Sequence, residues 1–380
     1  MTSKDHPVQL TMMTRQFLFL ILAFTTLQLP KLKAADPITV AVITNGEGAH
    51  LGAYFPALSE CEDVKSVVLS DPDGLTVEQA RKAMGNKLKA VYTDPAKMLK
   101  AEAAQMVLVS LEARLAPAAI DLALEAGCHV LAEKPACVNP EDFAKLTTKA
   151  NKKKLHLMLA LANRLNPETQ EARRLIQEGY LGDIYGIELH QIADQTRLKS
   201  KSYHEKWYAK KERGGGGHLS WLGIHWLDLA MYLTGSNITE VAGFTGNVGG
   251  QPIDVEDSAA IALKFDNGTF GTMTSGYYLD KGYHSLIKIW GSEGWLEITP
   301  HGGAGSNPLR WYSRKSKKQE IVEYPAPPGP QGYSPFVAAC VRASAGTEKP
   351  PLTADDSLRV LKTVFAAYDA ASQGKSQRID

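Results

Sequence analysis

Cysteine is scarce. The 380 residues hold four (Cys61, Cys128, Cys137 and Cys340), at spacings that match neither a stapled framework nor a CxxC metal pair, so buried free thiols are expected. The HExxH pattern and other paired metal-ligand spacings are missing too, which argues against a resident metal. Charge of one sign is not in excess: the formal net charge is +1, and nothing calls for nucleic acid or an anionic membrane as partner. Repeats and low-complexity blocks are lacking. A long hydrophobic run is lacking as well. The apolar stretch from Phe17 to Leu29 is about 13 residues, short of the roughly 20 a spanning helix needs. It comes after Lys4 and Arg15 and ends at Pro30 and a small-residue site near Ala34, the layout of a secretory signal peptide. An uncleaved anchor is the alternative. Thr14-Arg15-Gln16-Phe17-Leu18 is similar to a twin-arginine signal with one arginine missing. Cleavage would leave an exported mature chain with a formal charge of about −2 and no membrane span.

What is present suits a globular chain of two domains: 44% apolar and 22% charged residues, in a length too great for one ordinary core. Ile38–Ile43 is a β-branched run followed at once by Thr44-Asn45-Gly46-Glu47-Gly48-Ala49-His50-Leu51-Gly52 and a helical stretch to about Leu58. Strand, glycine turn and helix are the context of a dinucleotide fingerprint. Gly46 permits the tight turn, and Gly48 lets backbone N–H groups approach a pyrophosphate at the helix N-terminus. The third glycine is missing: Leu51 holds its place and Gly52 comes one residue late. The next strand, Val64–Ser70, ends in Asp71, where an acid can accept from ribose hydroxyls and repel a 2′-phosphate. NAD is therefore expected rather than NADP. Asp71 could also simply open the turn Asp71-Pro72-Asp73-Gly74. Met106–Ser110 and His129–Ala132 read as further strands around a helix at Pro117–Ala126. Such alternation predicts an α/β doubly wound parallel sheet. From residue 185 onward the runs Ala259–Phe265, Gly268–Ser275 and Leu286–Trp290 read as strands, and Asp355–Ser372 as an amphipathic helix.

The stretch Glu125-Ala126-Gly127-Cys128-His129-Val130-Leu131-Ala132-Glu133-Lys134-Pro135 resembles the hallmark of the glucose–fructose oxidoreductase, inositol dehydrogenase and MocA family. Asn163-Arg164-Leu165-Asn166-Pro167, the stretch Gly179–Ile184, the run Gly214–Gly217 with Gly223, His225 and Asp228, and Gly291–Gly294 resemble later family motifs in the same order. The resemblance spans roughly residues 38–375. It implies an NAD(P)-binding Rossmann domain (35–158), an α+β domain with a large, mostly antiparallel sheet (159–350), a closing helix and tail (351–380), and a homo-oligomer. It also implies that Lys134 lies beside the nicotinamide and contacts the reacting hydroxyl, with Glu133 and Pro135 completing the cofactor-side turn.

A second constellation is the helix that starts in the glycine run. His218, Trp221, His225 and Asp228 come at spacings of three, four and three, which at 100° per residue places them on one face. His225 with Lys134 is the expected catalytic pair. Arg164, Tyr203, His204, His218, Trp221 and Asp228 are the expected substrate contacts. Core packing is the alternative for Trp221 and Asp228, and rim packing for Tyr203 and His204. The family's dehydrogenases carry an aspartate where this chain has Trp221. Tryptophan cannot take a proton but can stack on a sugar ring. Glu112-Ala113-Arg114 also departs from the family's T-P-N-like cofactor contact. Three readings stay open: an NAD-dependent oxidoreductase acting on a hydroxyl of a sugar, cyclitol or glycoside; an exported glycosidase that retains NAD for transient oxidation and elimination; and a non-catalytic ligand-binding member.

Overall fold

The apolar runs of the first half become the strands of one parallel sheet. The computed structural model describes residues 36–300, 307–325, 329 and 331–380, so the expectations placed on residues 1–34 lie outside it. β1 (Ile38–Thr44), β2 (Val64–Ser70), β3 (Leu88–Tyr92), β4 (Met106–Ser110), β5 (His129–Ala132) and β6 (Leu157–Leu159) stand in the order β3-β2-β1-β4-β5-β6. Every pairing is parallel. β4 is buried along its whole length, which is why it reads as a continuous apolar run rather than an alternation. Helices α1 (Leu51–Glu60), α2 (Val77–Met84), α3 (Pro95–Ala101), α4 (Ala116–Glu125) and α5 (Pro140–Lys153) make the crossovers. Their starts are written locally: Pro140 opens α5 and the Asn139 side chain accepts from Asp142 N at 3.0 Å, a cap and first-turn proline together. Strand order reverses between β1 and β4, and the crevice at their carboxyl ends is where an open α/β sheet takes its ligands.

After α6 (Pro167–Gln177) the period changes to two. The second sheet runs β14-β13-β12-β11-β7-β10-β9-β8-β15, from β7 (Ile184–Asp194), β8 (Ile238–Gly246), β9 (Ser258–Phe265), β10 (Phe270–Leu279), β11 (His284–Gly291), β12 (Gly294–Ile298), β13 (Leu309–Ser313), β14 (Val322–Tyr324) and β15 (Gln377–Arg378). β7 and β10 pair in parallel and the other pairs are antiparallel. Alternation of buried and exposed residues from Ala259 to Phe265 in β9 shows one face turned to the core. Between β7 and β8 lie the short helices α7 (Lys201–His204) and α8 (Lys211–Gly214), a π turn at Leu219–Gly223 and α9 (Ile224–Thr234). α10 (Tyr333–Ser344) returns to pack on α1, and α11 (Ala354–Gln373) packs on β8 and α5. The tail beyond it adds β15 to β8, so the closing segment is built into the second sheet. The four cysteines are buried and free. Among the described residues no helix is long and apolar enough to cross a membrane.

Candidate active site

Two groups of side chains gather at the carboxyl ends of the parallel strands, the two ends of the candidate site. At the first, the glycine turn between β1 and α1 is held down from below. A Cβ on Gly48 would lie 2.1 Å from Thr44 Oγ1 and 2.9 Å from Ser110 O, so only glycine lets the turn sit on the ends of β1 and β4. Gly46 is crowded from above, where an added Cβ would meet Leu75 Cδ1 at 2.6 Å. Its N–H donates to the Asp73 carboxylate at 3.1 Å. The missing third glycine costs nothing here. Leu51 is buried in the core at the first turn of α1, and a Cβ on Gly52 would meet only Gln79 Nε2, at 3.8 Å.

Asp71 lies buried at the end of β2. Its Oδ2 accepts from Thr76 N and Thr76 Oγ1, both at 2.7 Å. Its Oδ1 is buried with no hydrogen-bond partner. Beside it a cavity of about 300 Å³ opens among Ile43, Thr44, Ser70, Pro72, Leu111 and Leu115.

At the second end, β5 delivers Glu133, Lys134 and Pro135; the Lys134–Pro135 peptide is cis. Lys134 is buried. Its ammonium donates to Trp221 O at 2.6 Å, stands 3.3 Å from the centroid of the Trp221 ring, and lies 3.8 Å from Glu133 Oε1. Burial brings its pKa down to about 8, against the opposing pull of Glu133. Burial by itself would raise the Glu133 carboxyl, but facing His50, Lys134 and the Tyr54 hydroxyl hold it below the usual carboxylate range. Tyr54 donates to Glu133 Oε2, and burial beside that carboxylate pushes the phenols of Tyr54 and Tyr333 well above their ordinary value.

His50 ends the glycine turn in the left-handed region, at φ 57°. Its Nδ1 lies 3.1 Å from Glu133 Oε1. Its ring stacks on Trp221 at 5.4 Å and on Tyr333 at 5.2 Å. Trp221 is also met by Tyr208 at 4.9 Å and edge-on by Trp207 at 5.2 Å. Lys206 reaches Glu47 at 3.0 Å, and Trp207 Nε1 donates to Glu47 O at 3.0 Å. The segment 206–209 is thereby strapped across the glycine turn. Glu112, at the end of β4, accepts from Arg213 Nε at 2.6 Å and ties the same side.

The expected single face of the glycine-led helix does not form, because Leu219–Gly223 is a π turn. Its wider turn rotates the residues after it relative to those before it, so 100° per residue does not apply across it. His218 turns to the second sheet, with Nδ1 2.6 Å from Ser275 Oγ and the ring edge-on to Tyr277 at 4.4 Å. Asp228 and Arg164 find each other: Arg164 Nε lies 2.9 Å from Asp228 Oδ2, both buried. Trp221 turns to Lys134. His225 comes one turn later, half-buried. Tyr203 meets Tyr208 in a tilted pair at 5.0 Å and reaches Tyr277 OH at 3.3 Å, while the His204 ring contacts Leu198 O. The structure thus joins Glu133, Lys134 and Trp221 in one cluster and connects Tyr203 to it through Tyr208. His50, Tyr54 and Tyr333 belong to that cluster and were not singled out from the sequence. The signal for His50 was a polar ring inside the turn, directly before the anomalous Leu51. Tyr54 and Tyr333 carried none.

A Rossmann sheet with a glycine turn, a buried acid after β2 and a buried lysine after β5 defines a nucleotide-dependent oxidoreductase. Comparison with known proteins agrees. Residues 38–161 match the oxidoreductase family with NAD-binding Rossmann fold, and residues 169–297 match the GFO/IDH/MocA C-terminal domain. The chain belongs to that family of oxidoreductases. It is 27% identical to D-glucoside 3-dehydrogenase of Escherichia coli over 274 residues, 67% of this chain and 74% of that one. It is 24% identical to D-apiose dehydrogenase of Paraburkholderia graminis over 363 residues, 89% of this chain and 91% of that one. Its fold matches the aldose-aldose oxidoreductase of Caulobacter crescentus with a TM-score of 0.75 at 22% identity, covering 90% of this chain and 99% of that one.

The residues present fit a dinucleotide: Gly48 keeps the turn down on the ends of β1 and β4, and the Asp71 Oδ1 without a hydrogen-bond partner would accept from a ribose hydroxyl.

Proposed function

We propose that this enzyme is an NAD-dependent dehydrogenase that oxidises a hydroxyl of a sugar, cyclitol or glycoside. The observation that carries the reading is the buried Lys134 ammonium with its pKa near 8. A buried amine poised there is half neutral at mildly alkaline pH and can take up a hydroxyl proton, or as the ammonium hold the oxygen. NAD bound at the glycine turn supplies the acceptor for the substrate's two electrons. Asp71 supports NAD over NADP, because its carboxylate would meet a 2′-phosphate with like charge. Gly46 and Gly48 would carry the pyrophosphate. His225, one turn beyond Trp221, is the second group proposed to handle the proton. The names of the glucoside and apiose dehydrogenases, together with the aromatic group Trp221, Trp207 and Tyr208, support a saccharide-like substrate, since such rings take up the apolar faces of sugars.

A second reading is favoured by the strap. Contacts from Lys206 and Trp207 to Glu47 cross the glycine turn and would slow the exchange of a nucleotide beneath them. That suits a retained cofactor, recycled within each turnover, as in the glycosidase reading. It also suits export, where free NAD is scarce.

Mass spectrometry of the denatured, purified protein should find NAD rather than NADP. Incubation with glycosides and polyols should then release NADH in step with product. Product without NADH release supports the retained-cofactor glycosidase, and tighter binding of NADP than NAD overturns the cofactor assignment.

A further inference from the structure

Lys134 can act more than once only if its proton finds a way to water, and its surroundings leave few routes. The side chain is 1% exposed. Two of its contacts, the carbonyl oxygen and the ring of Trp221, do not carry a proton onward at neutral pH. The third is Glu133 Oε1, at 3.8 Å, whose side chain is 0% exposed. That same oxygen lies 3.1 Å from His50 Nδ1, and His50 is the first group in the series to meet solvent, with its side chain 33% exposed.

We infer that Lys134, Glu133 and His50 form a proton relay in which His50 is the outlet to water. This rests on the reading of Lys134 as the group that takes the substrate proton. The balance is simple and moves no electrons. At rest Glu133 Oε1 and His50 Nδ1 make no hydrogen bond, so the transfer runs when the side chains close up from 3.8 Å and 3.1 Å to aligned hydrogen bonds: the Lys134 ammonium gives a proton to Glu133 Oε1, that oxygen passes a proton to His50 Nδ1, and His50 releases one from Nε2 to water. Lys134 ends as the neutral amine and Glu133 as the carboxylate; His50 ends with its proton on Nδ1 rather than Nε2, and regains its starting tautomer when a ring rotation takes Nδ1 to water, where it gives up that proton as Nε2 takes one. An imidazole is the side chain suited to this passage near pH 7.

The surroundings fit a conduit rather than a chance contact. The other titratable groups facing Glu133 and His50 are Tyr54 from α1 and Tyr333 from α10, with Cys340 of α10 acting on Tyr54. Each is buried and held in its protonated form: Tyr54 and Tyr333 are pushed well above the ordinary phenol value, and burial also raises Cys340. Tyr54 fixes Oε2 as its acceptor and leaves Oε1 to Lys134 and His50. Stacking on Trp221 at 5.4 Å and Tyr333 at 5.2 Å sets the plane of the imidazole. The backbone of His50 sits at φ 57°, a conformation uncommon for a residue with a Cβ and one that gathers at functional sites.

His50 is a positioning residue here, acting through Glu133, and its test needs a readout that packing alone would not move. In protein labelled with 15N at lysine Nζ, the Lys134 signal is assigned by its loss in Lys134→Met. The exchange of its hydrogens with water is then followed by NMR. His50→Gln, and His50→Asn, which suits the left-handed backbone, should slow that exchange at least tenfold, and added imidazole should restore it. In both variants the pH profile of kcat should change while KM moves little. Exchange that stays at the wild-type rate, with or without a fall in Tm, overturns the relay and leaves His50 as packing. Slowed exchange in a protein that oxidises no polyol upholds the relay and overturns the dehydrogenase reading instead.

Discussion

At the glycine-turn end of the candidate site, polar groups are spent on the backbone. Asp73 accepts from Gly46 N, and Asp71 accepts from Thr76 with one oxygen while keeping the other in reserve. At the Lys134 end the charges face each other and aromatic rings. An ammonium lies on Trp221, a carboxylate lies between it and His50, and two phenols close the back. On the proposed reading, the difference separates binding from chemistry. Acceptors fixed by backbone donors make a rigid seat. Charges buried among rings have their protonation set by desolvation, which is how a group is brought to titrate near working pH.

The sharpest way to break the contrast is to remove the ammonium. Lys134→Met should lower kcat by about 10²–10⁴-fold, the usual range for a lost acid–base group, with NAD affinity changed far less. Steady-state kinetics beside calorimetry check this. A loss of NAD affinity matching the loss of rate would mean that Lys134 belongs to the seat.

Next comes the ring that shields it. Trp221→Ala should admit water to Lys134, relieve the desolvation that holds its pKa near 8, and move it up toward the ordinary lysine value. Less neutral amine is then present at mildly alkaline pH, so kcat there falls by about tenfold and the alkaline rise of the pH profile shifts upward. KM for a saccharide should rise by a further factor of about five to thirty, equivalent to 1–2 kcal/mol of lost stacking. An unmoved pH profile would show that Trp221 does not set the protonation of Lys134.

The smallest effect belongs at the other end. Asp71→Ala removes two hydrogen bonds at Thr76 and the free acceptor. About 1–2 kcal/mol of stability should be lost, with weaker NAD binding and an unshifted pH profile of kcat. A profile that moves with Asp71 would erase the distinction between the two ends.

The sequence made the strands and the glycine turn legible because their causes are local. β1, β4 and β5 are apolar runs that only a sheet buried on both faces can hold, and Gly46 and Gly48 stand where the backbone must pass close to its neighbours. Lys134 and Trp221 were legible as separate residues. Their contact was not, since it depends on a π turn whose closure over Leu219–Gly223 no 3.6-residue pattern reveals. His218 and Asp228 pair with Ser275 and Arg164.

By itself the sequence determined the doubly wound sheet, the second sheet of period two, the seat for a dinucleotide and the identity of the buried lysine. Each of these comes from periodicity, turn chemistry or a motif contiguous in the chain. Only the tertiary structure decided which groups share the lysine's enclosure. His50, Glu133, Trp221 and Tyr333 come from four distant segments, and the protonation of Lys134 is set by how completely those segments exclude water from it.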